Sequence, residues 1–579
     1  MIALFGSWKS PVTTDLIVAD SVNLKELQVD GDDVYWLEQR PSEAGRTVLV
    51  KNGHDVTPAP FSVRSRVHEY GGGSYHVANG VVYFVNDKDQ QVYRDGKQLT
   101  DVPGLRFGDM VLDRQRLIAV CEDHRAGGEP ANSLVTITDG KVETLVAGND
   151  FYSSPCVFGE HFAYLTWNHP NMPWDETELW LDGRKIAGGA SIFQPQWSPD
   201  GVLHFVSDVT GWWNLYRYRA GKIGALCEMP AEFGAPQWGL GMSTYAFEAP
   251  DRITCTFCEK GQWHLARLEN GKLDRIETPY TDISQVRANA FLGASPTEPA
   301  CVVHKGKVIR RSTAVMLDPR YVSVAVPIEF DGAHAFYYPP KNADFTPPTG
   351  ELPPLIVMSH GGPTSATRSG FDLAKQFWTT RGFAVADVNY GGSTGFGREY
   401  RQRLYGTWGI VDVDDCCNAA RHLVKQKLAD PNRLAIRGGS AGGYTTLCAL
   451  TFREVFKAGA SYYGISDLEA SNDTHKFESR YNWPLIAPWP EGRQVYHDRS
   501  PLQHADQLNC PVIFFQGLDD KIVLPNQSQM MVEAMKKKGL LVEYHEFAGE
   551  SHGFRQAATI KQTLEAELGF YQKVFHIHA

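Results

Sequence analysis

The sequence predicts an antiparallel β-propeller of seven blades followed by an open α/β sheet, and three observations carry that prediction. A turn signal recurs through the first three hundred residues, the pattern then switches to strands alternating with helices, and glycine-rich segments close the later strands. At 579 residues the chain also exceeds what one hydrophobic core ordinarily serves.

The repeat comes first. Asn52-Gly53, Asp95-Gly96, Asp139-Gly140, Asp182-Gly183, Ala220-Gly221, Asn270-Gly271 and Lys305-Gly306 follow one another at a mean spacing of about 42 residues. That is the length of a four-stranded propeller blade. Residues ahead of these turns alternate as half-buried strands do, as in Glu178-Leu-Trp-Leu181. A second register, starting at Pro155, Pro195 and Pro236, is read as strand starts. Seven blades is the favoured count, with six and eight as its neighbours. Two packed sandwiches would have no reason to keep such a period. The expected division is a leading segment 1–19 against the C-terminal half, a propeller 20–315 and a catalytic domain 316–579.

In the C-terminal part, apolar runs such as Pro354–Ser359, Phe383–Asn389, Leu434–Arg437 and Val512–Phe515 each end in a glycine-bearing loop. Buried parallel strands with such loops at their C-terminal ends place a site along that edge of the sheet. The Pro-rich stretch 339–350 follows a strand-like run and is read as a surface loop of this domain.

Gly438-Gly-Ser-Ala-Gly442 fits G-x-S-x-G, and the preceding strand and following helix supply the setting of a nucleophile elbow. Ser440 is therefore the expected nucleophile of an α/β-hydrolase. Its hydroxyl needs a base, and the order required is serine, acid, histidine. The loop after Phe515 offers Asp519 and Asp520, and the loop after Phe547 offers His552. Oxyanion donors are expected from the backbone N–H of Ala441 and from Gly362, favoured over Gly361 in His360-Gly-Gly-Pro363.

Taken together, H-G-G-P, Asn389-Tyr-Gly-Gly-Ser-Thr-Gly-Phe-Gly397, G-G-S-A-G-G, G-x-x-D and Gly549-Glu-Ser-His-Gly-Phe554 resemble the prolyl oligopeptidase family of serine peptidases. The likeness is nearest to its acylaminoacyl-peptidase and bacterial aminopeptidase branch. It implies that Asp520 rather than Asp519 is the acid, and that the propeller admits only short peptides. It further implies an acyl-enzyme mechanism with no metal or organic cofactor. Ile522 departs from the arginine that some members carry two residues after the aspartate, and Gln516 replaces a common histidine.

Specificity is harder to read. An aminopeptidase needs a carboxylate for the substrate ammonium, and Glu69, in Arg66-Val-His-Glu-Tyr-Gly-Gly-Gly73, is the favoured candidate. Cys121–Arg125 is a second charged cluster, and Trp167–Trp174 an aromatic one. Tyr444, Tyr462 and Tyr463 are expected to line an apolar pocket, and Glu478 and Arg480 form a polar pair without an assigned role. The favoured reading is an aminopeptidase. The alternatives are an acylaminoacyl peptidase or oligo-endopeptidase, then a small-molecule esterase or a scaffold with an inactive hydrolase.

The net charge of −11 argues against nucleic-acid and anionic-membrane partners. No basic leader, bilayer-length apolar run or second metal-ligand pair beside Cys255 and Cys258 is present. A cytoplasmic peptidase acting on short peptides is expected, with homo-oligomerisation left open.

Overall fold

A computed structural model describes residues 1–578 apart from Asp473. Seven four-stranded antiparallel sheets cover residues 23–55, 75–98, 105–146, 151–190, 192–227, 245–276 and 282–311. Every turn of the sequence repeat joins the third and fourth strands of a blade. In all seven, both turn residues take positive φ, from Asn52 at 49° and Gly53 at 88° to Lys305 at 50° and Gly306 at 74°. This is the primed hairpin geometry whose twist matches that of the strands it joins.

The second register behaves differently. Pro155 and Pro195 lie in the first strands of their blades, whereas Pro236–Gly239 lies in a loop ahead of the strand Tyr245–Ala249. That loop faces the other domain: the Trp238 indole donates to the carbonyl of Thr364 at 2.7 Å. Its aromatic serves the interface rather than a blade.

Each blade is a continuous stretch of chain, so the ring closes without a shared strand. Leu24, Leu27, Trp36 and Val48 of the first blade pack with Ala290, Leu292 and Val302 of the seventh. Arg310 also bonds the buried Glu38 at 2.7 Å.

The C-terminal sheet has eight strands: β1 (Val326–Phe330), β2 (Ala333–Tyr338), β3 (Leu355–Ser359), β4 (Ala384–Asn389), β5 (Leu434–Gly439), β6 (Ala458–Tyr462), β7 (Val512–Gly517) and β8 (Val542–Phe547). Their order is β1-β2-β4-β3-β5-β6-β7-β8, parallel from β4 onward. Every residue of β4 and β7 is buried, as strands covered on both faces must be. The leading segment lies against this sheet domain. Ile2 bridges to Thr346, Trp8 abuts Gly382, and Thr14 bonds Glu565. No helix among the described residues is long and apolar enough to cross a membrane.

The halves are joined through charge. Asp208, wholly buried, pairs with Arg398 and Arg401 at 2.5 Å each. Arg401 also lies over the Trp213 ring at 4.4 Å. Glu232 accepts from the backbone N–H groups of Trp213 at 2.8 Å and Gly397 at 3.0 Å. The glycine-rich stretch after β4 is thus clamped onto the propeller.

Candidate active site

Ser440 sits between β5 and the helix Ala441–Phe452 with φ 55° and ψ −122°, a conformation that costs a non-glycine residue free energy. Close packing holds it there. A Cβ on Gly442 would lie 2.1 Å from the carbonyl oxygen of Ser359, so only glycine lets the elbow approach β3. The Ser440 N–H donates to the carbonyl of Tyr462 at 2.9 Å, tying the turn to β6.

The two later loops meet beyond β7 and β8. His552 Nδ1 donates to Asp520 Oδ2 at 2.8 Å, and Asp520 Oδ1 accepts from the N–H groups of Ile522 at 2.9 Å and Val523 at 3.0 Å. Asp520 is wholly buried, whereas Asp519 is exposed. Geometry therefore separates two acids that sequence order alone leaves equal. A side chain on Gly517 would collide with the carbonyls of Glu550 and Ser551 at 2.6 Å. Gln516 accepts from Ser528 at 2.8 Å and donates to the Gly517 carbonyl at 3.1 Å, stapling the acid loop to the helix Asn526–Lys538.

Tyr463 spans nucleophile and base. Its ring lies 4.8 Å from that of His552 and would touch a Cβ on Gly439 at 3.1 Å. Among the described residues, no hydrogen bond joins the Ser440 hydroxyl to His552. Such contacts often tighten only when substrate binds.

Gly362, Ser440 and Ala441 line one cavity. Among the described residues the N–H groups of Gly362 and Ala441 have no acceptor, so both remain available to a ligand. His360 braces this loop. Its Nδ1 donates to the Gly361 carbonyl at 2.9 Å, its Nε2 accepts from Ser393 at 2.7 Å, and its ring stacks on Tyr390 at 4.2 Å. Burial holds the imidazole neutral, with its pKa pulled down to about 4. Tyr481 and Trp238 bond Thr364 from the far side.

The same cavity is lined by Trp408, Ile465, Tyr481 and Val523 and, among the described residues, by one carboxylate, Glu478. Glu478 accepts from the Tyr70 hydroxyl at 2.9 Å and faces His475 Nε2 at 2.8 Å. Burial and the Glu478 charge keep the Tyr70 phenol well above its ordinary pKa, so it stays a donor. Arg480 turns away to Glu129 of the propeller at 2.9 Å.

The specificity candidates are dispersed. Tyr444 is wholly buried behind Trp408, bonded to the Arg499 carbonyl at 2.9 Å, and does not line this cavity. Tyr462 bonds the buried Glu567 at 2.5 Å and, with Tyr463, faces a separate cavity toward the seventh blade. Glu69 lines the cavity that contains His552, and its carboxylate is taken by Arg106 at 2.6 Å. In the Cys121–Arg125 cluster, Glu122 accepts from the His68 N–H and faces His124, a structural tie. Trp167 and Trp174 are core residues. Sequence reading missed Trp408 and the weight of Glu478, because no local pattern links either of them to Ser440.

A propeller seated on an α/β sheet whose elbow serine shares its strand edge with an aspartate–histidine pair defines the class: a two-domain serine hydrolase. Residues 369–578 match the model described as "Prolyl oligopeptidase family". A puromycin-hydrolyzing peptidase of Mycobacterium tuberculosis superposes with TM-score 0.94 at 40% identity, covering 99% of this chain and 97% of that one. A puromycin hydrolase mutant complexed with PGG gives TM-score 0.95 at 35% identity, covering 100% and 98%. Dipeptidyl aminopeptidase BIII of Pseudoxanthomonas mexicana is 34% identical over 38% of this chain, a match spanning 32% of that relative's length. The chain belongs to the prolyl oligopeptidase family of serine peptidases.

Proposed function

We propose that the protein is a serine aminopeptidase that releases N-terminal residues from short peptides. The observation that carries this reading is the cavity beside Ser440, whose one charged lining side chain among the described residues is Glu478. In an aminopeptidase the free ammonium lies only two bonds from the scissile carbonyl carbon, so its carboxylate partner must share the nucleophile's own cavity. Glu478 does, and Tyr70 and His475 hold it in place. Glu69 stands on the His552 side and is already paired, so we assign the amine to Glu478.

In this mechanism Ser440 attacks the carbonyl while His552, oriented by Asp520, takes its proton. The N–H groups of Gly362 and Ala441 receive the oxyanion, His552 protonates the leaving amine, and water activated by the same base resolves the acyl-enzyme. Puromycin, named for two relatives, is an amide of an aromatic amino acid with a free amine, and suits a pocket walled by Trp408 and Tyr481.

A chromogenic panel of free aminoacyl, N-acetyl-aminoacyl and internally blocked peptide substrates tests the reading, with puromycin added. Free-amine substrates are expected to lead, and Glu478→Gln should cut their kcat/KM by about 10- to 100-fold. Preference for acetylated substrates would move the assignment to an acylaminoacyl peptidase. Fluorophosphonate labelling that persists in Ser440→Ala would remove the nucleophile.

A further inference from the structure

Two cations beside His552 form no salt bridge among the described residues. Arg64, from the segment between the first two blades, and Arg555, three residues beyond His552, line the same cavity as that histidine. Both also line an inner cavity reached by Lys25. Among the described residues neither guanidinium forms a salt bridge or a hydrogen bond.

The acids lining this cavity, other than Asp519, are committed elsewhere. Asp87 pairs with Arg66 at 2.7 Å and Glu69 with Arg106 at 2.6 Å. Glu550 is buried and accepts the N–H groups of Arg555 at 3.0 Å and Gln556 at 2.9 Å. Glu26 bonds Ser74, and burial raises its pKa. Asp519 and Lys521 are on the rim, one of each sign.

The cost of this arrangement is visible in the cations themselves. Burial, then repulsion from Arg555, lowers Arg64 to about 10 and Lys25 to about 8. Arg555 is likewise lowered by burial. Asp87 offsets part of this in both arginines, but enclosed like charges without a direct ion pair are unfavourable, and a bound anion reverses the sign of that interaction.

We propose that Arg64 and Arg555 receive the C-terminal carboxylate of a short peptide whose scissile carbonyl lies at Ser440. His552 hands its proton to the leaving amine, so the cavity on its far side takes the residues after the scissile bond. Glu478 lines the neighbouring cavity of Ser440, the acyl side, and Ile522 lines both cavities. The two charged ends then select peptides by length: ammonium at Glu478, carboxylate at Arg64 and Arg555. Arginine suits the second task because its planar donors meet a carboxylate in pairs. The assignment rests on the preceding reading in taking Ser440 and His552 as the reacting pair.

The test compares a tripeptide acid, its C-terminal amide, and an amide with glutamate as third residue. Wild-type kcat/KM should favour the acid by about tenfold or more, chiefly through KM. That ratio should collapse toward one in Arg64→Met and Arg555→Met, and survive in part in Arg555→Lys. The wild-type comparison stands even if a variant fails to fold. Equal rates on acid and amide overturn the proposal. A glutamyl amide as good as the acid also overturns it, in favour of a side-chain carboxylate. If neither the acid nor its amide is cut, the peptidase reading falls and takes this one with it.

Discussion

The two halves of this protein solve the problem of burying a sheet in opposite ways. Each propeller blade is a local meander, closed by a two-residue hairpin and stacked on its neighbours. The C-terminal sheet is assembled from strands far apart in sequence, with β3 lying between β4 and β5. The difference teaches where chemistry can be built. Ser440, Asp520 and His552 converge because three crossover connections end on one strand edge, something a ring of hairpins does not offer. The propeller contributes what a lid can: Tyr70 holding Glu478, and Arg64 in the cavity that holds His552.

If the crossover half carries the chemistry, a single atom at a loop end should matter far more than anything in a blade. Asp520→Asn is expected to lower kcat by roughly 10³- to 10⁴-fold, since the amide no longer fixes the imidazole tautomer. Asp519→Asn should change it by less than about threefold. Steady-state kinetics on one peptide decide between them, and equal losses would mean that the acid is misassigned.

The seam between the halves comes next. Asp208→Ala leaves Arg401 buried without its counter-ion, and two of that guanidinium's nitrogens already lack partners. A loss of about 3–5 kcal/mol is expected, measured by denaturant unfolding. Separate transitions for propeller and sheet domain would show that this clamp couples them; a loss below about 1 kcal/mol would show that it does not.

The pH dependence of the hydrolase half follows from His360. Its pKa of about 4 lies below the ordinary 6.5 because burial penalises the charged ring. The unfolded chain therefore binds the proton first as pH falls. Stability from this site is full above pH 6.5 and is lost as pH drops from 6.5 toward 4, by on the order of 3 kcal/mol. Melting temperatures across that range should fall more steeply in the wild type than in His360→Phe; parallel curves would refute the assignment.

The smallest effect belongs to a blade. Gly183 has φ 75°, and a Cβ there meets nothing within 4 Å. Gly183→Ala should cost only about 1 kcal/mol, all of it backbone strain, with kcat unchanged. A larger loss of activity would mean that the blades are coupled to the site more tightly than their local construction suggests.

Legibility in the sequence tracked the same division. The repeat was visible because each hairpin needs two residues of positive φ, and asparagine or aspartate followed by glycine supplies them cheaply. Pro236-Gln-Trp-Gly239 imitated a strand start because its tryptophan is apolar, although its partner is a carbonyl in the other domain. The elbow, the acid loop and the histidine loop were legible because strand ends impose glycine where chains nearly touch, as at Gly442 and Gly517. Tyr444 misled: it follows the nucleophile by four residues, one helical turn, and that turn points it into the core.

The sequence by itself determined the architecture and the order of Ser440, an acid and His552, because periodicity and close-packed glycines are local requirements. The family resemblance pointed to Asp520, and tertiary structure supplied the reason: it is buried against His552 while Asp519 faces solvent. Tertiary structure alone decided that Glu478 shares the cavity of Ser440, and that Arg64 and Arg555 share a cavity with no salt bridge among the described residues. Charge pairing acts through space between residues hundreds of positions apart, and no spacing along the chain encodes it.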